Sequence, residues 1–407
     1  MEYSEYLLSD VLDISWGDTK TTKAKYVEDG FIAFSASGPD GFLPYFDFEQ
    51  TGVVLSAIGA NCGKTYLAEG QWSCIKNTMR MIAKSDEMSV DYFYYLSQQS
   101  DFFPIRGSAQ PFISQTDIRE LRVSLPNRVV QDAIVGIIKL LDEKIRLDTE
   151  MSKTLEAIAQ TIFKSWFIDF DPVHAKMRGE KPEGMDDATA ALFPGSFEES
   201  ELGMIPKGWG VKPVGQVLPT VGGATPSTAN ESYWNGEHCW TTPKDLSRQS
   251  GIVTTASARK ITSFGLAKIS SGLLPPMSVL MSSRAPIGYL SVAVVPTAIN
   301  QGFIAFPTHE TYPPLYLFNW LAKSMDEIKS RSGGGTFSEI SKSAFRGISF
   351  LVPKNPVLLR FRELTTPMLE MITALAFENQ SLIELRDALL PRLISGELQI
   401  PDEMLAS

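Results

Sequence analysis

Residues 129–167 read VVQDAIVGIIKLLDEKIRLDTEMSKTLEAIAQTIFKSWF. Ile134, Ile138, Leu141 and Ile145 recur at alternating steps of four and three, and Leu155, Ile158 and Ile162 continue an apolar face. No proline or glycine falls between Ile137 and Phe170. A hydrophobic period of 3.5 residues is the seam of a helix that packs along a second helix. At 1.5 Å per residue this one runs about 55 Å. Residues 358–395 carry the same steps through Met368, Ile372, Leu375, Asn379, Leu382, Arg386, Leu389 and Leu393, with Pro367 and Pro391 expected to interrupt the helix. The two stretches are read as partners, packed antiparallel as a rod.

Working outward, what precedes each helix also comes twice. Leu8-Ser9-Asp10-Val11-Leu12, followed by Gly17 and Thr19, is matched by Val214-Gly215-Gln216-Val217-Leu218, followed by Gly223 and Thr225. Val53-Val54-Leu55-Ser56, leading to Gly63 and Asn77, is matched by Val279-Leu280-Met281-Ser282, leading to Gly288 and Asn300. Gly107 to Ser114, running through Ile118 to Leu125-Pro126, is matched by Gly333 to Ser341, running through Phe345 to Val352-Pro353. The offset grows from 206 to 227, so the second copy carries insertions. Matches in one order, each ending in a long helix, mark an internal repeat with pseudo-twofold symmetry.

Each copy is a run of short apolar segments broken by Gly, Pro, Ser and Asn. Residues 32–34, 52–58, 78–83, 279–281 and 302–306 read as strands, and 91–100 and 314–323 as short helices. The fold class is therefore α+β. The expected division is a first domain over 1–128, a long helix over 129–168, a central linker over 169–205, a second domain over 206–355, and a second long helix with a tail over 356–407.

The chain has 407 residues, 43% hydrophobic and 21% charged, as in soluble globular proteins. No run of about 18 apolar residues spans a bilayer, and the first residues do not read as a signal peptide. Three cysteines (Cys62, Cys74 and Cys239) suit a reducing cytoplasm and offer no zinc spacing with His174, His238 and His309. The net charge of -10 at first opposes nucleic-acid binding, but the charge is uneven. Residues 206–353 hold 13 Lys and Arg against 7 Asp and Glu, whereas residues 1–128 hold 11 against 17. DNA binding would be local, or would borrow charge from a partner.

The linker is the most specific part. Phe167-Ile168-Asp169-Phe170-Asp171-Pro172-Val173-His174-Ala175-Lys176-Met177, then Ala190-Ala191-Leu192-Phe193-Pro194 and Glu201-Leu202-Gly203-Met204-Ile205-Pro206-Lys207-Gly208-Trp209, resembles the central segment of the specificity subunits of Type I restriction–modification systems. Leu389-Leu390-Pro391-Arg392-Leu393-Ile394-Ser395-Gly396-Glu397-Leu398 is equally typical of that family. The resemblance implies two target recognition domains, each reading half of a split double-stranded DNA site, with the helix pair as spacer. It implies no cofactor in this chain. Two modification subunits would bind S-adenosylmethionine and methylate adenine, and a restriction subunit, the motor-nuclease, would use ATP and Mg.

Chemistry of the chain's own is mostly missing. Gly59-Ala60-Asn61-Cys62-Gly63-Lys64-Thr65 ends like a phosphate-binding loop, but three residues separate its glycines where four are needed. A nucleotide-binding or DNA-cleaving enzyme built on that turn is one alternative, and a scaffold pairing two protein partners is another. No methyltransferase motif, metal set or catalytic triad stands out. The expected DNA-facing positions lie in polar, basic loops: Lys20 and Lys23, Lys64, Arg106 with Ser108 and Gln110, Ser283 and Arg284, Asn300 and Gln301, and Arg331 with Thr336. Glycine permits close backbone approach there, Arg can bridge to guanine or phosphate, and Asn and Gln amides can read adenine.

Overall fold

The computed structural model describes residues 3–333 and 338–405. The chain divides into two compact units, Met1–Ile145 with Ser381–Ser407, and Arg146–Gln380. Both long helices pass from one unit into the other. They span Arg128–Phe167 and Asn355–Ile394, 40 residues each, about 60 Å at the α-helical rise. Pro367 and Pro391 do not end the second helix, contrary to expectation. A proline inside a helix removes one N–H donor and bends the axis, which flanking packing can absorb.

In the first unit, Tyr3–Leu7 pairs antiparallel with Arg122–Pro126. An antiparallel four-stranded sheet runs in the order Leu12–Trp16, Thr78–Ala83, Gly52–Ser56, Thr65–Ala68. A three-stranded sheet places Phe31–Ser35 between Gly38–Leu43 and its parallel neighbour Trp72–Cys74. Every residue of Gly52–Ser56 is buried, as a central strand demands. The core joins Leu8, Leu12, Val53, Leu55, Met79, Met81, Tyr92 and Phe93 to Val130, Ile134 and Ile138 of the first long helix. Leu393, Ile394 and Ile400 complete the same core from the far end of the sequence.

The second unit repeats this plan. Gly210–Pro213 pairs with Ser349–Val352. Phe303–Phe306, Ser278–Ser282 and Leu290–Ala293 lie side by side in a four-stranded sheet. Trp234–Thr241 lies between Arg259–Ile261 and its parallel neighbour Thr297–Ile299. The parallel pair dates the insertion. Ile32 faces Trp72 in the first unit and Cys239 faces Thr297 in the second, so the offset changes between these two strands. The core gathers Phe163, Trp166 and Phe167 from the first long helix around Tyr316 and Phe361.

Within the units the seam of the first helix keeps one phase. Ile134 and Ile138 are fully buried, Leu141 and Ile145 half-buried, then Asp148 is buried and Ser152 half-buried, and Leu155, Ala159, Ile162 and Trp166 follow at the same steps. Ile158 is a correction: it is 42% exposed, and Ala159 takes the buried place. An apolar-only reading passes over Asp148 and Ser152 and so loses the phase. On the second helix Ile372 and Leu375 are buried and Leu382 and Leu389 half-buried. Its polar interruptions have partners: Asn379 Nδ2 lies 3.4 Å from Thr149 Oγ1, and Arg386 donates to Asp142 at 2.8 Å.

Candidate nucleic-acid interface

The candidate positions of the first unit lie in four loops that backbone hydrogen bonds tie together. Asp18 N–H donates to Cys74 O and Lys76 N–H to Thr21 O; Ala57 N–H donates to Asn77 O and Ile113 N–H to Ala57 O. Gly59 N–H donates to Pro111 O, and Arg106 and Phe112 exchange both backbone bonds to close the Gly107–Pro111 turn. Lys20, Lys64, Arg106, Ser108 and Gln110 are all exposed on these loops. So is Lys76, which reading the sequence missed because only the pairing of residues 18–21 with 74–76 brings it there. Lys23 is exposed too, with its ammonium 2.5 Å from Asp40 and Asp40 also accepting from Tyr26 and Ser35.

The second unit assembles the equivalent loops. Ala224 N–H donates to Ile299 O, Asn300 N–H to Thr241 O, Ser283 N–H to Gly302 O, and Ile340 N–H to Ser283 O. Gln301 is exposed, and its Oε1 accepts from Thr225 Oγ1 at 2.5 Å, which fixes the amide and leaves its NH2 group to donate outward. Asn300 spends Oδ1 on Gly302 N–H at 2.8 Å and so shapes the turn. Arg284 lies 3.7 Å from Glu339. Thr336 lies outside the described residues.

One expectation changes, and two side chains have partners within the chain. Ser283 is 3% exposed, so its hydroxyl is not presented to a ligand; its backbone instead joins two loops. Arg331 donates to Glu327 at 2.7 Å and to Gly347 O at 3.2 Å, and Arg106 pairs with Asp117 at 2.6 Å. Both guanidinium groups therefore brace the bases of their loops. A guanidinium has five N–H donors, so each keeps others for a phosphate or base while these bonds stand.

Two further pairs of equivalent residues hold these loops. A Cβ on Gly17 would lie 2.6 Å from Ile75 O, and one on Gly223 would collide with Ile299 O, so only glycine lets the strands cross there. Arg119 donates to Ile14 O at 3.1 Å, and Arg346 to Thr220 O at 2.9 Å. The signal for both arginines was present in the repeat, at an offset of 227.

The Gly59–Thr65 turn is a hairpin. The amides of Gly59, Cys62, Gly63 and Lys64 donate to Pro111, Gly59, Ser56 and Asn61 carbonyls, and Thr65 begins a strand, not a helix. A phosphate cradle needs free amides and a following helix N-terminus. Among the described residues no group of three or more His, Cys, Asp or Glu is placed to hold a metal, and no helix is long and apolar enough to cross a membrane.

Comparison with known proteins gives the repeat a counterpart. The Type I restriction modification DNA specificity domain matches residues 2–157 and again residues 206–356. The chain is 27% identical over 351 residues to the Type I restriction enzyme HindI specificity subunit of Haemophilus influenzae, covering 76% of this chain and 75% of that one. It is 36% identical over 159 residues to the MjaIX specificity subunit of Methanocaldococcus jannaschii, covering 39% of this chain and 37% of the other. The crystal structure of a Type I restriction–modification S subunit from M. genitalium superposes with a TM-score of 0.62 at 14% identity, covering 97% of this chain and 96% of that one, a likeness of fold.

Proposed function

The chain belongs to the Type I restriction–modification DNA specificity family, and from that premise we propose that each of its two units reads one half of a bipartite double-stranded DNA target. The chain is the DNA specificity subunit of such a system. The observation that carries the finer reading is that both repeats fold the same four loops onto one another, with exposed lysines on those of the first unit and the exposed Gln301 amide on those of the second. Lysines there meet phosphate, and amides such as that of Gln301 meet base edges. The long helices act as the spacer between half-sites.

The chemistry is assigned to partners. Two modification subunits bind S-adenosylmethionine and methylate adenine in each half-site, and a restriction subunit adds ATP- and Mg-dependent translocation and cleavage, in the cytoplasm. The test is methylation mapping of genomic DNA from cells expressing this chain with its modification subunits. The expected result is methylated adenine in a single two-part motif with a fixed gap. Methylation at an undivided motif, or at sites sharing no motif, overturns the reading.

A further inference from the structure

The insertion that lengthens the second copy carries most of that copy's net positive charge, with 5 Lys and Arg against 1 Asp where the whole of residues 206–353 has 13 against 7 Asp and Glu. Between equivalent strands the first unit has residues 36–51, and the second has residues 242–277. The first stretch holds Asp40, Asp47 and Glu49 and no lysine or arginine. The second holds Lys244, Arg248, Arg259, Lys260 and Lys268 against the single carboxylate of Asp245. All five cations are exposed. The carboxylate is used inside the insertion: Asp245 accepts from Thr242 N–H at 2.7 Å, Thr242 Oγ1 at 2.5 Å and Ala258 N–H at 2.9 Å. It folds Pro243–Leu246 against the strand Arg259–Ile261 and offsets one of the five positive charges.

The insertion is anchored and adjoins the candidate reading loops. Arg259 lies 3.5 Å over the Trp234 ring, which with Trp240 forms a small core beneath it. Thr241, which precedes the insertion, accepts the Asn300 N–H at 3.1 Å. A Cβ on Gly302 would lie 3.0 Å from Pro243 Cγ, so the first turn of the insertion abuts the Asn300–Gly302 turn.

We infer that the 242–277 insertion is a phosphate-gripping extension, through which the second unit holds the DNA backbone beside the half-site that its loops read. This rests on the proposed DNA-reading function and adds to it an inequality: the second unit supplies most of the chain's own backbone affinity, while the acidic first unit depends on partners. Exposed ammonium and guanidinium groups that meet phosphates bind duplex DNA by counterion release, which is independent of sequence and steeply salt-dependent.

The test is the triple variant Lys244→Gln, Arg248→Gln, Lys260→Gln in the full chain assembled with its modification subunits. Arg259 is left in place because it stacks on Trp234. Circular dichroism checks the fold, and affinity for target and non-target duplexes is measured as salt is varied. Each phosphate contact contributes about 0.9 to the slope of log affinity against log salt, so three lost contacts flatten it by about 2.7. Raising salt from about 50 to 200 mM then costs the variant some forty-fold less affinity than the natural chain. The ratio of target to non-target affinity stays as it was. An unchanged slope overturns the inference. Weakened assembly with the modification subunits at an unchanged slope overturns it as well, and identifies the patch as a protein contact. If the natural complex shows no sequence preference, the reading function fails, and the slope comparison still decides the grip.

Discussion

At the scale of single residues, what a side chain is already bonded to decides what it offers a ligand. Arg331 and Gln301 looked alike as exposed polar candidates, yet Arg331 spends part of its donor set on Glu327 and Gly347, while Gln301 is oriented by Thr225 with its NH2 group left to donate outward. Gln301→Ala should therefore relax recognition in one half of the target by about 0.5–1.5 kcal/mol, the net worth of a single hydrogen bond, and leave the other half unchanged. Methylation mapping with the variant subunit reads this directly; equal loss in both halves rules the contact out. A second residue reports on stability. Burial raises the Glu156 carboxyl above its usual range, outweighing the Ile252 N–H that favours the charged form, and Oε1 has no hydrogen-bond partner. A carboxyl whose folded pKa lies above its unfolded one costs stability once pH exceeds both values, and that cost disappears below the unfolded pKa. Glu156→Gln should raise the midpoint of thermal unfolding at neutral pH, and the difference should close as pH falls through the carboxylate range. A gain that persists undiminished at acid pH would show that charge is not its cause.

At the scale of elements, the sequence was most informative where periodicity is local and least where pairing is remote. The two long helices were legible because a seven-residue repeat needs no tertiary knowledge. The error at Ile158 arose because the seam passes through Asp148 and Ser152, polar residues that no hydrophobic pattern registers. Strands 52–58 and 78–83 were legible as segments, but not the pairing of Tyr3–Leu7 with Arg122–Pro126, since register between strands far apart in sequence is set by the assembled core. Lys76 joined the candidate surface, and Ser283 left it, for the same reason. The attachment of the first helix was equally hidden. Gln131 is fully buried; its Oε1 accepts from Ser89 N–H at 2.9 Å and its Nε2 donates to Glu87 O at 2.7 Å and Pro126 O at 2.9 Å. A buried polar group left without a partner costs about 1–3 kcal/mol. Gln131→Leu strands an N–H and two carbonyls, and should cost the first unit on the order of 3 kcal/mol. Denaturant unfolding, followed by hydrogen exchange in residues 3–145, measures it; an unchanged midpoint would mean that the helix is held by its apolar face alone.

At the scale of the whole molecule, the repeat in sequence and the division into compact units do not coincide. The first unit is discontinuous, and residues 381–405 finish a core that residues 8–138 begin. Tyr3 Oη donates to Ile394 O at 3.3 Å, and a Cβ on Gly396 would lie 2.9 Å from the same phenol oxygen. Leu393, Ile394 and Ile400, at 3%, 6% and 4% exposure, each contribute about 1.5–3 kcal/mol by burial. Their sum approaches the whole stability of an ordinary domain, roughly 5–15 kcal/mol. Removing residues 381–407 should therefore unfold the first unit and leave the second protected, as limited proteolysis would show; equal resistance of both units would refute this. The same discontinuity dictates an order of events on the ribosome. Domains generally fold as units while the chain emerges, the earlier ones first. Here the second unit needs nothing beyond Gln380, whereas the first must wait, its apolar strands uncovered, until the segment after Gln380 has been translated. The half of the chain made first is thus the half that matures last.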